Sequence, residues 1–145
     1  MNTKFSELEL ISSNVLGSFF SAVEYDQNEP MPLNKIPVEI DVKTSIDESD
    51  NAFILLLDLC SNPKGEIKGA YSYSVLMQGV FKVKDYDSRS KEEIDAYLLY
   101  SAVPSLINLA RGYLMNISTY YPYGKYTLPM LDLGDIIEKL TTPES

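Results

Sequence analysis

Two stretches of alternating apolar and polar residues limit the fold of this chain more than any other feature. From Val38 to Ile46 every second residue is apolar or threonine, and charged residues or serine lie between them. From Ile67 to Val83 a longer alternation places these residues on one side: Ile67, Gly69, Tyr71, Tyr73, Val75, Met77, Gly79, Phe81 and Val83. A side-chain period of two predicts β-strands. Ala52 to Leu59, which is almost continuously apolar, predicts a third strand covered on both faces.

Two weaker features complete the predicted sheet. Phe5 to Tyr25 is typical of one strand or a pair of strands, with Asn14 and Gly17 as candidate interruptions. The strand that ends at Val83 is long, and long strands usually bend or bulge at a glycine, so we expect an irregularity at Gly79.

After Ser88 the apolar period changes from two to 3.6. Ser90 followed by Glu93 is a capping-box pattern and predicts a helix through about Tyr100. Pro104 fits the first turn of a second helix, or else kinks one long helix. The second helix has one apolar face, made of Val103, Leu106, Ile107, Ala110, Leu114 and Ile117. A short last helix is predicted from about Asp132 to Leu140, with Leu133, Ile136, Ile137 and Leu140 as its apolar stripe.

Strands followed by helices indicate an α+β fold, with helices packed on one face of an antiparallel sheet. Residues 1–145 show no internal repeat and no linker, so we expect a single domain. Because no apolar run approaches the ~18 residues of a membrane span and no leader pattern is found, we also expect a soluble, cytosolic protein.

The composition argues against several classes of function. The chain has no histidine and only one cysteine, Cys60, which removes the commonest general base and the commonest metal ligands. No phosphate-binding or dinucleotide motif is found. Twenty-one acidic against twelve basic residues give a net charge of −9, which disfavours nucleic acid and anionic membranes. We therefore expect a non-catalytic protein with no cofactor and no metal.

Carboxylates leave one enzymatic alternative. Asp47, Glu48 and Asp50 form the best candidate for a paired-carboxylate hydrolase. The same residues lie in a predicted turn, and a solvated hairpin tip is the favoured interpretation of them.

Tyrosines are the more informative residues. The chain has eleven tyrosines and no tryptophan, and Tyr120, Tyr121, Tyr123 and Tyr126 lie in one loop with proline and glycine. Tyrosine offers a broad apolar face and a hydroxyl at low entropic cost, which suits a surface that binds varied partners. The alternative is a loop pinned to the core by its own aromatic rings, and the sequence leaves both interpretations open.

One face of the longest strand predicts self-association. Tyr71, Tyr73, Val75 and Met77 form an apolar row that we expect to require burial beyond a single helix layer. The sequence therefore predicts that these four residues form an oligomer interface.

Several segments, in order, resemble SecB-type protein-export chaperones. Tyr73 to Phe81 resembles the strand with a Gln-Gly-Gly-Ile-Phe-like signature, and Leu99 to Arg111 is similar to the Leu-hydrophobic-Pro-Tyr-Ala-Arg helix start with an insertion. Tyr121 to Leu133 is similar to the family's Pro-containing segment that enters the last helix. The resemblance extends from about Ile36 to Leu140 and covers most of the chain.

The resemblance implies a SecB-like α+β fold, in which a four-stranded antiparallel sheet is backed by two helices. It also implies a holdase: an ATP-independent chaperone that binds non-native polypeptides and assembles as a dimer of dimers. The alternative is a non-catalytic adaptor that uses the same fold to bind one folded partner. The predicted client-binding residues are Tyr120, Tyr121, Tyr123, Tyr126, Leu128, Met130, Leu133 and Ile136. Where export members carry an acidic residue on a strand this chain has Ser74, and it ends at Ser145 without their longer tail. Handover of clients to the SecA motor is therefore expected to be poor.

Overall fold

The sheet has four strands and both of its edges are long. The computed structural model describes residues 7–23, 33–47, 51–63, 69–132 and 134. Its strands are β1 (Leu8–Ala22), β2 (Val38–Asp47), β3 (Ala52–Ser61) and β4 (Tyr71–Val83). They form one antiparallel sheet in the order β1-β4-β3-β2, so that β1 and β2 are the edge strands. The α+β fold predicted from the two periodicities is confirmed.

The helical segments that follow β4 are continuous with one another. α1 (Lys91–Tyr97) continues through a π-helical segment, Leu98–Ala102, into α2 (Val103–Ser118). The predicted cap of α1 is present, since the Glu93 amide donates to the Ser90 hydroxyl oxygen over 3.2 Å. Pro104 lies in the first turn of α2, which is one of its two predicted places, directly after the π-helical segment. Single 3₁₀ turns lie at Leu33–Lys35 and Tyr86–Ser88.

The core lies between α2 and one face of the sheet, called here the helix-covered face. Because side chains alternate along a strand, β3 and β4 turn every second residue towards α2. The predicted apolar stripe of α2 is buried at Val103, Leu106, Ile107, Ala110 and Leu114. Opposite it are the buried residues Phe53, Leu55, Leu57, Leu59, Tyr71, Tyr73, Val75, Met77 and Phe81.

The irregularity predicted at Gly79 lies elsewhere. Gly79 pairs in register with Ser13 on one side and Leu55 on the other, and the register shifts occur in β1, between Leu10 and Ser12 and between Val15 and Gly17. A Cβ atom at Gly79 would lie 2.7 Å from the Phe81 ring and 3.2 Å from Leu106. This glycine therefore allows α2 to approach the sheet closely, instead of bending the strand.

The predicted C-terminal helix falls almost entirely outside the described residues. Asp132 and Gly134 are described, and the Gly134 amide donates to Asp132 Oδ1 over 2.9 Å. In the part of the chain that the structure describes, no helix is both long and apolar enough to cross a membrane.

Candidate functional site

Six aromatic rings gather where β1 ends and β4 begins. They belong to Phe20, Tyr71, Tyr73, Tyr121, Tyr123 and Tyr126, and are called here the aromatic cluster. Phe20 lies at its centre, with its ring centroid 4.9 Å from that of Tyr71 and 4.7 Å from that of Tyr121. Tilted contacts at these distances are favourable beyond the area that they bury.

Tyrosine hydroxyls tie the loop after α2 to the sheet. The Tyr71 hydroxyl donates to the Gly124 carbonyl over 2.7 Å and accepts from the Tyr123 amide over 3.0 Å. The Tyr121 hydroxyl donates to the Phe20 carbonyl over 2.9 Å. The loop therefore has a fixed backbone path, and one of the two interpretations left open by the sequence, a loop pinned by its own aromatic rings, describes this part of the structure.

The hydroxyls of Tyr73 and Tyr126 form a buried pair, 2.6 Å apart. Burial raises the pKa of the Tyr73 hydroxyl far above its usual range, and the neighbouring Tyr126 raises it further. Burial also raises the pKa of Tyr126, although the hydrogen bond to Tyr73 partly offsets this. Both hydroxyls are thus held neutral, and they support the loop as a hydrogen-bonded pair.

Arg111 and Ser118 fix the segment from Tyr126 to Pro129 against α2. The Arg111 guanidinium donates from Nε to the Leu128 carbonyl over 2.9 Å and from Nη2 to the Pro129 carbonyl over 3.3 Å. The Ser118 hydroxyl accepts from the Tyr126 amide over 2.7 Å. Two carbonyls and one amide outside any helix or strand are satisfied in this way.

The predicted client-binding residues separate into two layers. Tyr126 and Leu128 are buried, so the prediction that their side chains contact a client is corrected: they support the loop from beneath. Tyr121 and Tyr123 are half-buried, whereas Tyr120 and Met130 are 82% and 89% exposed. The outer layer, Tyr120, Tyr121, Tyr123 and Met130, is called here the tyrosine surface. Leu133 and Ile136 lie outside the described residues.

The predicted oligomer interface needs a similar correction. Tyr71, Tyr73, Val75 and Met77 are at most 4% exposed in the single chain. α2 and the loop after it together cover these residues. The prediction from the sequence had considered only a single helix layer. Their burial therefore requires no second subunit.

Exposed apolar residues are found instead along the edge strand β1. Leu10, Ile11, Val15, Leu16 and Phe19 are all exposed, Leu16 by 52% and Phe19 by 56%. Glu9 is the single charged residue of this strand, and no proline interrupts it. A long apolar edge of this kind invites pairing with another strand. Sequence reasoning missed it because the two bulges disrupt the period-two pattern of β1.

Of the carboxylates considered for catalysis, Glu48 and Asp50 lie outside the described residues. Within the described residues, no group of three or more cysteine, aspartate or glutamate side chains is placed to hold a metal ion. Burial raises the pKa of the half-buried Cys60 thiol, and the charges of Asp58 and Glu39 add to this effect.

This chain is similar to known proteins in its structure, although comparison of its sequence found no match. No family model matches the chain, and no curated protein matches it. A SecB-like chaperone of Mycobacterium tuberculosis, in complex with a ChAD peptide from an antitoxin, superposes with a TM-score of 0.59 at 14% identity. The match covers 86% of this chain and 91% of the other. The fold is SecB-like, as the resemblance predicted.

A second similar structure has no known function. It is a protein from Streptococcus agalactiae that matches with a TM-score of 0.50 at 7% identity, over 86% of this chain and 97% of the other. At such identities the likeness describes the fold, and function has to be argued from the surfaces of this chain.

Proposed function

We propose that this protein is an ATP-independent chaperone that holds non-native polypeptides, with residues 1–145 acting as one binding unit. The observation that carries the proposal is the tyrosine surface, where Tyr120 and Met130 are exposed on a loop whose backbone is fixed. The SecB-like fold supports it, because a structure of the same fold was solved with a bound peptide.

The chemistry of the tyrosine surface suits a binder of many sequences. Tyrosine rings offer apolar area together with a hydroxyl, and methionine adapts to apolar groups of different shapes. Because three hydrogen bonds to tyrosine hydroxyls already order the loop, it loses little conformational entropy when a client binds. The net charge of −9 adds a preference for clients that carry basic residues.

We propose that two copies of the chain associate through β1, and not through the row from Tyr71 to Met77. Edge-to-edge pairing of two β1 strands would satisfy their outer backbone groups and cover Leu16 and Phe19. A symmetric dimer formed in this way can pair again into a dimer of dimers.

The remaining assignments are proposals of the same kind. We expect the chaperone to act in the cytosol without cofactor, membrane or nucleic acid. Binding to a SecA-type motor is expected to be weak, because half-buried Ser74 lies on the uncovered side of the sheet, where export members carry an acid.

Aggregation of a chemically denatured reporter protein tests the holdase proposal. The double variant Tyr120→Ser with Met130→Ser removes exposed apolar area without touching the buried layer, so we expect loss of protection with unchanged stability. Tyr100→Ser is the matched control, since Tyr100 is an exposed tyrosine on the helical segment before α2. Equal protection by the double variant and the control would overturn the tyrosine surface as the client site.

The adaptor alternative predicts a different result. An adaptor for one folded partner has no reason to protect unrelated denatured proteins, so failure of the wild-type chain with several reporters would favour it.

Light scattering tests the oligomer separately: Leu16→Lys with Phe19→Lys should give smaller particles, whereas an unchanged mass would place the interface elsewhere.

A further inference from the structure

The outer edge of β1 meets one residue of the tyrosine surface, Tyr121. The Tyr121 hydroxyl donates to the Phe20 carbonyl over 2.9 Å, and the two ring centroids are 4.7 Å apart. The Tyr121 amide donates to the Ser118 carbonyl over 3.1 Å, which fixes the backbone that carries the ring. Hydroxyl, ring and backbone together hold Tyr121 against one position of β1.

The carbonyl that Tyr121 binds points away from the sheet. Phe20 lies opposite Tyr73 of β4. The Tyr73 amide donates to the Ser61 hydroxyl of β3, and the Tyr73 carbonyl accepts from it, so both groups face β3. Residues opposite each other in an antiparallel pair either exchange both main-chain hydrogen bonds or turn both sets of groups outward. The main-chain groups of Phe20 therefore face the outer edge of β1, and Tyr121 caps one of them.

The same register shows how far the rest of this edge is open. β4 pairs with β3 in continuous register, so every second residue of β4 after Tyr73 also turns its main-chain groups towards β3. The β1 residues opposite these positions turn theirs outward; they are Ser18, Val15, Ser13 and Leu10. Among the described residues, no strand lies beyond β1 to pair with them. The edge is thus open from Leu10 to Ser18 and capped at Phe20.

A second copy of β1 suits the open part of the edge. No charged residue lies between Leu10 and Ala22, so antiparallel pairing of two copies places no like charges opposite each other there. In a chain with a net charge of −9, this edge adds nothing to the repulsion between copies. Pairing would also cover Leu16 and Phe19, which are 52% and 56% exposed.

Tyr121 occupies the place that a further residue of an added strand would need. An amide nitrogen of that strand would lie ~2.9 Å from the Phe20 carbonyl oxygen, and the Tyr121 hydroxyl already lies at this distance. Displacing it would exchange one hydrogen bond for another and would lose the ring contacts of Tyr121 with Phe20 and Tyr71. Strand addition past Ser18 is therefore unfavourable.

We propose that Tyr121 ends the pairing of two β1 strands at Ser18 and so keeps the second copy off the tyrosine surface. In the paired chain, Tyr120 and Met130 remain accessible to a client. This inference rests on the association through β1 proposed above and adds a boundary to it. A client and a second copy of the chain then bind without competing.

Residue-resolved amide hydrogen exchange on the full chain tests the boundary. The variant Leu16→Lys with Phe19→Lys is the unpaired reference. We expect the outward amides of Ser13, Val15 and Ser18 to exchange at least about tenfold more slowly in the wild type than in the reference, and that of Phe20 less than about twofold more slowly. Equal protection of Val15 and Phe20 would overturn the boundary. No protection at any of these amides would refute the pairing and the boundary together.

Removal of Tyr121 should move the boundary. Tyr121→Ala takes away both hydroxyl and ring, so association should now slow exchange of the Phe20 amide by at least about fivefold, measured against the same variant with the two lysines. Tyr120→Ala removes the neighbouring exposed tyrosine and is the matched control, which should leave the Phe20 amide unchanged. A Phe20 amide that stays unprotected in Tyr121→Ala would overturn the role of Tyr121. If that variant does not fold, Tyr121→Phe keeps the ring and should show a smaller gain in the same direction.

Client binding separates this inference from the proposed function. At physiological salt, which screens the added lysines, a labelled denatured reporter should bind the wild type and the unpaired reference with affinities within about twofold of each other. A client affinity reduced tenfold or more in the paired chain, an order-of-magnitude threshold, would show that the second copy does reach the tyrosine surface. A reporter that binds neither form would refute the holdase proposal, and the exchange pattern would still decide whether Tyr121 sets the boundary.

Discussion

β4 and β1 are neighbouring strands of similar apolar content with opposite exposure. From Tyr71 to Val83 every second residue of β4 is buried, whereas the large apolar residues of β1 from Leu10 to Phe19 are exposed. β4 has a partner strand on each side and is covered by α2 and the pinned loop. β1 has one partner and two bulges. Alternation in a sequence thus shows which residues share a face, but coverage depends on where the strand lies in the sheet.

The difference also divides the molecule by role. The apolar residues of β4 hold the chain together, and those of β1 contribute little to the isolated chain and are available to a partner. Substitutions on the two sides of this division should therefore differ in their effects.

The largest effect is expected from truncating a side chain that covers β4. Leu114→Ala removes a fully buried side chain of α2 and should lower the free energy of unfolding by about 2–5 kcal/mol. Leu16→Ala on β1 should lower it by less than about 0.5 kcal/mol, because the side chain is already half in water. Urea unfolding of both variants provides the measurement, and similar losses would break the comparison.

A smaller effect is expected at the tyrosine pair beneath the loop. Tyr126→Phe leaves the buried Tyr73 hydroxyl without its partner and should cost about 1–3 kcal/mol of unfolding free energy. Changing both residues to phenylalanine removes the unsatisfied group and should restore much of the loss. A double variant as unstable as the sum of both single variants would show that the hydroxyl pair does not act as a unit.

The same pair predicts a loss of stability in alkali. The pKa of each hydroxyl is raised in the folded protein, so its stabilising effect is complete below the unfolded value of about 10 and is lost as pH rises above it. We expect the melting temperature to fall more steeply above pH ~10 in the wild type than in the variant with both tyrosines changed to phenylalanine. Equal slopes would contradict the raised pKa values.

Local signals in the sequence predicted the scaffold well. Period-two alternation predicted β2 and β4, and a serine followed by glutamate predicted the start of α1, because both depend on neighbours in the chain. The roles of the tyrosines could not be predicted in the same way. Tyr73 and Tyr126 are far apart in sequence, so nothing local indicates that their hydroxyls meet. The exposed edge of β1 likewise depends on strand order, which alternation does not encode.

Arg111 provides a further test of how the tyrosine surface is held. Lysine at this position keeps the charge but cannot donate to the Leu128 and Pro129 carbonyls through a planar fork. We expect Arg111→Lys to cost about 1 kcal/mol of unfolding free energy and to weaken holdase activity. Asn108→Ala removes only a side-chain partner of Arg111 and is the milder control. Unchanged protection by Arg111→Lys would show that the clamp is not needed to present Tyr120 and Met130.

The smallest effect concerns the uncovered face of β3, at Cys60. Burial raises the pKa of this thiol, and the charges of Asp58 and Glu39 raise it further, so less of the reactive thiolate is present at neutral pH. Alkylation by iodoacetamide should therefore be slower than for a small-molecule thiol at the same pH. Because burial is the larger cause, Asp58→Asn should speed the reaction only by less than about threefold. Glu9→Gln, which removes an equal charge on β1, should leave the rate unchanged. A large acceleration by Asp58→Asn would contradict this ranking, and would mean that the neighbouring charges and not burial control the reactivity of Cys60.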